Sequence, residues 1–339
     1  MTANATPMAI RSILRRQQRQ EPLNILTFCT HERYEQKLCQ TGHNFYAINY
    51  GKEWDTDYGK IPENYYIVRE VPSYINFDLI LCHTACDRLG IAYNIRDDFN
   101  IPILLHMHTL PDIRSDVTTQ INQLQEAASN VDHKNFISEF SMNAWGYTSQ
   151  GASFIEHGIE TDFWNIDTEA ERENVCLSVV NDWPNRDWCC GWELWQHTIA
   201  VNTENMLPVK VCGKSPGLSE PAQSIEHLRQ IYQTSKIFYN TSLHSPVPTS
   251  LLEAMSCGCA VVSTATCMIP EIIEHEKNGL ISNDPNELRQ FLERLLQDDD
   301  LASDLGKEAR NTMVEKYSLQ RHVDNWNKLF YDTIAAYKD

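Results

Sequence analysis

Residues 239–279 read YNTSLHSPVPTSLLEAMSCGCAVVSTATCMIPEIIEHEKNG. Pro248, Thr249 and Ser250 are good first-turn residues, and the pattern predicts a helix with Thr249 as its N-cap. Leu251, Leu252, Ala254 and Met255 give this helix an apolar side, and Gly258 supplies the left-handed residue that ends it. Ala260-Val261-Val262-Ser263 then reads as a short buried strand. A second helix is expected to start at Pro270-Glu271, with Asn278-Gly279 as a turn before Leu280-Ile281.

A helix–strand–helix unit of this kind binds ligand when its first helix aims its N-terminus at an anion. The unpaired first-turn amides and the positive dipole end suit a diphosphate. Glu253, about one turn further in, is then placed to accept hydrogen bonds from ribose hydroxyls. Spacing alone equally fits a plain α/β unit with Glu253 on its wet face.

The segment resembles the donor-binding signature of retaining glycosyltransferases with the GT-B fold, chiefly glycosyltransferase family 4. Leu251-Leu252-Glu253-Ala254-Met255, Cys257-Gly258, Val261-Val262 and Ile269-Pro270-Glu271-Ile272 match its pattern as they stand. The family carries two glutamates with seven residues between them. Glu253 matches the second, which in the family holds the nucleotide ribose, whereas the first falls on Ser245, beside His244. The family uses that first acid on the donor sugar, so donor choice and activity are the properties this substitution touches.

The whole chain has 339 residues, 42% of them hydrophobic and 22% charged, which suits two globular domains of ordinary size. A net charge of −18 argues against broad binding to nucleic acid or anionic lipid. Eleven cysteines, without a repeating framework and without zinc spacing, read as reduced thiols of a cytoplasmic protein with no metal site. No apolar run is long enough to span a membrane. Residues 1–22, with Ile10-Arg11-Ser12-Ile13-Leu14-Arg15-Arg16, read as a solvated extension; a basic amphipathic segment is the alternative.

From Leu23 onward apolar strands alternate with helical stretches: 23–29, 44–49, 65–70, 77–82 and 101–107. The alternation implies a parallel sheet covered on both faces, with ligands beyond the carboxyl ends of the strands. Thr30, His31, Arg33, His83 and His108 stand at those ends. The loop after the first strand has no glycine until Gly42, where the resembled family has a Gly-rich loop, so an acceptor pocket built from side chains is expected. Thr30, His31, Arg33 and His83 are its candidates. The resemblance gives His108 contact with the transferred sugar; His106, two residues earlier, reads as core. Tyr46, Tyr50, Trp54, Tyr58, Tyr65 and Tyr66 are either stacking surfaces or ordinary packing.

Phe136–Ser141 and Phe154–Trp164 resemble the late elements of the family's first domain, and the polar stretch 165–174 reads as a linker, with the boundary near Thr168. The domains read as an extension over 1–22, an acceptor-side domain over 23–167, a nucleotide-sugar domain over 168–318 and a terminal helix over 319–339. In the family the loop after the second domain's first strand supplies an arginine and a lysine to the donor diphosphate. Asp182 stands at the arginine position, and Arg186 lies close to the lysine position. Lys214, after the strand at 209–213, is the candidate that replaces the missing cation. Asp284-Pro285-Asn286-Glu287 is a clean helix start, and Asp298-Asp299-Asp300 reads as a solvated loop.

The resemblance thus implies a GT-B architecture: two Rossmann-like α/β domains facing a cleft, with a C-terminal helix crossing back to the first. The implied activity is a metal-independent, retaining hexosyl- or pentosyltransferase that uses a nucleoside-diphosphate sugar as co-substrate and needs no cofactor. His108, Arg186 and Glu253 would carry catalysis. Arg186, Lys214, Ser245, Pro248, Thr249, Ser250 and Glu253 would bind the donor. The acceptor stays open among a glycan, a lipid-linked glycan, a small molecule and a modified nucleic-acid base. Two rivals remain: an inactive sugar-nucleotide or glycan-binding protein, and an epimerase or hydrolase on the same fold.

Overall fold

The computed structural model describes residues 21–49, 54–56, 59–83, 86–200 and 206–338. Residues 1–20 of the basic segment, and Tyr50 and Tyr58 of the aromatic run, lie outside the described residues. The chain divides into two compact units, Met1–Glu156 with Gln320–Asp339, and His157–Leu319. The division falls after Glu156, not near Thr168. The residues between them go with the second unit because Trp164 is buried there. Its ring lies 5.8 Å from that of Tyr232, and its carbonyl accepts a 2.6 Å hydrogen bond from the Ser256 hydroxyl.

The first unit is built on seven parallel strands: β1 (Asn24–Phe28), β2 (Asn44–Ile48), β3 (Tyr65–Val68), β4 (Leu79–His83), β5 (Ile103–Met107), β6 (His133–Phe136) and β7 (Ser153–Phe154). Their order across the sheet is β3-β2-β1-β4-β5-β6-β7. All five residues of β4 and all five of β5 are buried, as befits strands covered on both faces. Helices α1 (Glu32–Cys39), α2 (Cys86–Phe99), α3 (Val117–Ala127) and α4 (Glu139–Ala144) follow the strands. Leu89, Ala92 and Leu124, from α2 and α3, share one core with Ile80, Cys82 and Leu105. The last helix of the chain, Leu319–Lys338, brings Trp326, Phe330 and Ile334 against Leu23, Ile25, Leu79 and Leu81 in the other. The Trp326–Phe330–Ile334 stripe is i, i+4, i+8, the spacing of one helix face.

The second unit has five parallel strands: β8 (Glu173–Val179), β9 (Val209–Cys212), β10 (Ser235–Asn240), β11 (Ala260–Ser263) and β12 (Leu280–Ile281), in the order β12-β11-β10-β8-β9. Its helices, in chain order, are α5 (Asp187–Cys190), α6 (Trp192–Ile199), α7 (Ile225–Thr234), α8 (Thr249–Ser256), α9 (Ile269–Ile272), α10 (Pro285–Gln297) and α11 (Asp299–Lys316). The Leu319–Lys338 helix is accordingly α12.

Two expectations are corrected here. Thr249 is not the N-cap of α8; the extended Pro248 (φ −76°, ψ 99°) holds that place, Thr249 is the first helical residue, and no side chain caps the first turn. Asp298-Asp299-Asp300 is not a loop. Asp298 accepts a hydrogen bond from the Leu301 amide at 2.9 Å, and Asp299 and Asp300 sit in the first turn of α11. Acids there complement the positive dipole end, which makes this acidic run a helix start.

His43, at the entrance to β2, is buried in the first unit, where its Nδ1 accepts the Leu23 amide at 3.2 Å. Burial pushes its pKa down to about 4. A histidine depressed in the folded state holds its full stabilising effect above the unfolded value near 6.5 and loses it as pH falls toward 4. Within that window it should contribute a slope of about 1.4 kcal/mol per pH unit. His43→Asn keeps an acceptor in the Nδ1 position without a titrating ring. Urea unfolding from pH 7 to 4.5 should therefore show a shallower loss of stability in the variant by about that slope; an unchanged slope would refute the assignment.

Candidate functional site

In each unit the strand order reverses at one place, and in open α/β sheets ligands bind at the carboxyl ends of the strands beside such a reversal. In the first unit this is the β1/β4 pair. Thr30 and His31 follow β1, His83 is the last residue of β4, and His108 follows β5 one residue beyond Met107. His83 is fully buried, His108 half-buried and His31 exposed. His83 Nδ1 and His108 Nε2 stand 2.7 Å apart and share one proton, their rings stacked with centroids 4.9 Å apart. On its other side, His83 Nε2 lies 3.7 Å from Glu35 Oε1, which accepts a 2.6 Å hydrogen bond from the Thr30 hydroxyl. Thr30, His83 and His108 are thus brought together through a residue that sequence reasoning passed over, Glu35. Arg33, on the same helix, is half-buried.

Desolvation pushes the His108 pKa down to about 3, with the positive charge on His31 adding to the effect. Burial, then the charge of His108, holds His83 well below its ordinary value. Both rings are therefore neutral at pH 7. His106, read as core, is fully buried and forms part of a directed chain of hydrogen bonds. The Ser153 hydroxyl donates to Asn135 Oδ1, and the Asn135 amide meets His106 Nδ1, each at 2.8 Å. The amide nitrogen can only donate, so Nδ1 accepts and the His106 proton sits on Nε2, facing the Tyr34 hydroxyl at 2.8 Å. Tyr34 in turn sets its ring edge-on to His108, with centroids 4.3 Å apart. Four side chains from four elements thereby fix the environment of His108.

In the second unit the reversal lies between β8 and β10. The loop after β8 carries Arg186, the loop after β9 carries Lys214, and the loop after β10 carries Ser245 and leads through Pro248 into α8. Asn181 ties the first two loops together. Its side-chain oxygen accepts from the Lys214 amide at 2.8 Å, and its carbonyl accepts from Arg186 Nη1 at 3.3 Å. Asp182, the residue in the arginine position of the resembled pattern, takes a left-handed backbone (φ 51°) and donates its amide to the Lys214 carbonyl at 2.8 Å. Arg186 and Lys214 are both exposed. The Leu243 and His244 amides both donate to the Cys189 carbonyl, at 2.9 and 3.1 Å, which pins the loop bearing the half-buried Ser245 onto α5.

Thr249 and Ser250 form the first turn of α8, which is without a side-chain cap. Glu253, the fifth residue of that helix, is 8% exposed. It is held by the Tyr232 hydroxyl, which donates to Oε2 at 3.1 Å. Tyr232 is fully buried; desolvation, then the charge of Glu253, pushes its phenol pKa up, so it stays a donor. Neither Tyr232 nor Asn181 stood out in the sequence. Asn181 had a signal in retrospect: an Asn two residues past a buried strand, where a loop needs its amides accepted.

Residues 221–312 match the family model described as glycosyl transferases group 1. N-acetyl-alpha-D-glucosaminyl L-malate synthase of Bacillus anthracis is 30% identical over 91 residues, 26% of this chain and 24% of that protein. D-inositol 3-phosphate glycosyltransferase of Corynebacterium jeikeium is 31% identical over 113 residues, 33% of this chain and 27% of that protein. The matched stretch therefore spans about a quarter of either relative. Among solved structures, sucrose-phosphate synthase from Thermosynechococcus elongatus superposes with a TM-score of 0.72 at 14% identity, covering 93% of this chain and all of that one. HepE of Anabaena in complex with UDP gives 0.72 at 13% identity, covering 91% and 99%. These likenesses identify the fold as GT-B. Among the described residues no helix is long and apolar enough to cross a membrane.

The junction of the β8 and β9 loops depends on Gly213. Its φ is +132°, and a Cβ there would stand 2.2 Å from the Val180 carbonyl oxygen. Gly213→Ala should cost at least about 2 kcal/mol and lower the melting temperature. Gly217→Ala, at a left-handed residue (φ +78°) with open space around it, should cost only about 1 kcal/mol. Equal losses in the two variants would show that the close approach at Gly213 carries no weight.

Proposed function

We propose that this chain, whose residues 221–312 match the family model of the group 1 glycosyl transferases, transfers a hexose or pentose from a nucleoside-diphosphate sugar to an acceptor, with retention and without a bound metal. The donor sits on the residues of the second unit and the acceptor on those of the first. What supports this most is the convergence of Arg186, Lys214 and the uncapped start of α8 on one reversal point, with a fixed carboxylate on the same helix. Cations and helix amides gathered at one crevice stabilise the charge that develops on a departing diphosphate. The arginine fork suits phosphate oxygens, and Glu253 accepts the ribose hydroxyls. His108, neutral and oriented by His83, contacts the transferred sugar, where a neutral imidazole can donate or accept a hydrogen bond. None of the ten cysteines whose side chains are described is in a disulfide, in keeping with a reducing compartment such as the cytoplasm.

Ser245 favours a second reading, a protein that binds sugar nucleotide without turning it over, because an acid at this position acts on the donor sugar in the resembled family. The two readings part at product formation. Turnover of any donor by the purified chain dismisses the second.

Donor binding is tested by thermal unfolding with a panel of nucleoside diphosphates and their sugars. A ligand at a hundred times its Kd should add about 2.7 kcal/mol of apparent stability. One base should give that shift, and Arg186→Ala and Glu253→Gln should each lose most of it; Tyr232→Phe, which removes one hydrogen bond to the Glu253 carboxylate, should weaken it severalfold. No shift with any member of the panel would overturn the donor site.

A further inference from the structure

The parallel pairing of β4 with β5 sets His83 opposite His106, and His108, two residues further on, brings its ring to within 4.4 Å of that of His106. There its Nε2 meets His83 Nδ1 at 2.7 Å. A bond of that length between two ring nitrogens needs one proton between them and leaves open which ring supplies it. The groups behind His83 decide that. Its Nε2 is buried, makes no hydrogen bond, and lies 3.7 Å from Glu35 Oε1. That oxygen takes the Thr30 hydroxyl at 2.6 Å, which marks it as an acceptor.

Two placements of the proton compete. With the His83 proton on Nδ1, the lone pair of Nε2 meets the Glu35 oxygen, and two buried acceptors face each other with no donor between them. With the proton on Nε2, a donor faces that oxygen and Nδ1 is free to accept from His108. At 3.7 Å the contact is longer than a hydrogen bond. It acts in a desolvated place, where electrostatic contacts weigh most. The second placement therefore wins. A neutral imidazole has a single N–H, so a His108 that donates from Nε2 has a bare Nδ1. Burial, then the positive charge of His31, pushes the pKa of His108 down to about 3 and keeps the ring neutral at pH 7. Among the described residues His83 is the one hydrogen-bond partner of the His108 ring, which is half-buried, so Nδ1 is left to a ligand.

We propose that Glu35 and His83 are positioning residues that fix the direction of this proton, so that His108 presents Nδ1 as an acceptor and takes a hydroxyl of the ligand. A phosphate or carboxylate oxygen brings no proton and finds no partner at that atom. With Nδ1 bare, His108 holds the ligand by a hydrogen bond and has no proton there to give up. That the hydroxyl belongs to the transferred sugar rests on the transfer reading above; the direction of the proton does not.

The test is long-range proton–nitrogen NMR on the full chain with histidine labelled at its ring nitrogens, which tells protonated from bare nitrogens. At pH 7 both His83 and His108 should carry the proton on Nε2, the His108 signals being identified by their loss in His108→Gln. Glu35→Met removes the acceptor at nearly constant volume, and His83→Phe removes the relay while keeping a ring against His108. Each should turn His108 into a mixture of its two tautomers. Each should also weaken the nucleoside-diphosphate sugar that gives a thermal shift by about five-fold, the worth of one neutral hydrogen bond, and leave the bare nucleoside diphosphate unaffected. That unaffected shift, with retained melting behaviour, shows that the variants are folded.

A proton on His108 Nδ1 in the unaltered chain overturns the proposal without any variant. A single Nε2 tautomer in both variants overturns it too, as does an equal loss of sugar nucleotide and bare diphosphate, the mark of a merely structural role. The stated proton placement together with no thermal shift from any sugar nucleotide would keep the relay and remove the transfer reading.

Discussion

The arrangement of the second unit depends on how the carboxyl end of one short helix is held. Thr249–Ser256 ends in a paired capping motif: the Gly258 amide donates to the Met255 carbonyl at 3.0 Å and the Cys259 amide to the Ala254 carbonyl at 3.1 Å. Gly258 permits this with φ +76°. Two guanidinium groups complete it, Arg172 Nη2 on the Cys257 carbonyl at 2.6 Å and Arg310 Nη1 on the Ser256 carbonyl at 3.0 Å. Positive charge at this end opposes the negative dipole end, an effect of about 0.3–1 kcal/mol per cation. The backbone of α11 then comes so close that a Cβ on Gly306 would stand 2.3 Å from the Gly258 carbonyl oxygen. A helix of eight residues cannot be stable alone; pinned at its far end and buried along its length, it can leave its near end uncapped. The absence of a side-chain cap at Pro248 and the rigid hold at Gly258 are two parts of one design, because only a fixed helix can present its first-turn amides at a constant place.

The same logic of fixed, desolvated groups runs through the first unit in another chemistry. Burial holds His83, His108 and His322 neutral, with His322 pushed down to about 4. Neutral imidazoles can sit within contact of one another, as His83 and His108 do, where two imidazolium ions could not. The hydrogen-bonded chain from Ser153 through Asn135 and His106 to Tyr34 sets the tautomer of one ring and the position of the next. His108 is thus oriented from two sides before any ligand arrives.

How much of this could be read from the sequence follows from the range of the interactions. The helix–strand–helix from Thr249 to Ile281 was legible because its signals are local: a proline before the first turn, a glycine after the last, and a β-branched run between. Strand ends were legible to within a residue or two, which sufficed to place His83 and His108 at the carboxyl edge. The cap of α8 was misassigned by one residue because Thr249 has the side chain of a cap and Pro248 has the backbone of one. Glu35 escaped because its place depends on a contact between separate elements, α1 with the end of β4. Tyr232 reaches Glu253 across 21 residues of chain, at a distance no local pattern encodes.

The two reversal points differ in sign, and that difference is itself informative. A chain with a net charge of −18 repels anions at long range. The loops after β8 and β9 nonetheless gather two cations, Arg186 and Lys214, held together through Asn181. Beside β1 the buried polar groups are instead the acids Glu32 and Glu35. Within about 8–10 Å, the screening length at ordinary ionic strength, each site presents its own field and not that of the whole surface. The fold supplies two crevices of one geometric kind; a handful of charged side chains at the strand ends makes them unlike.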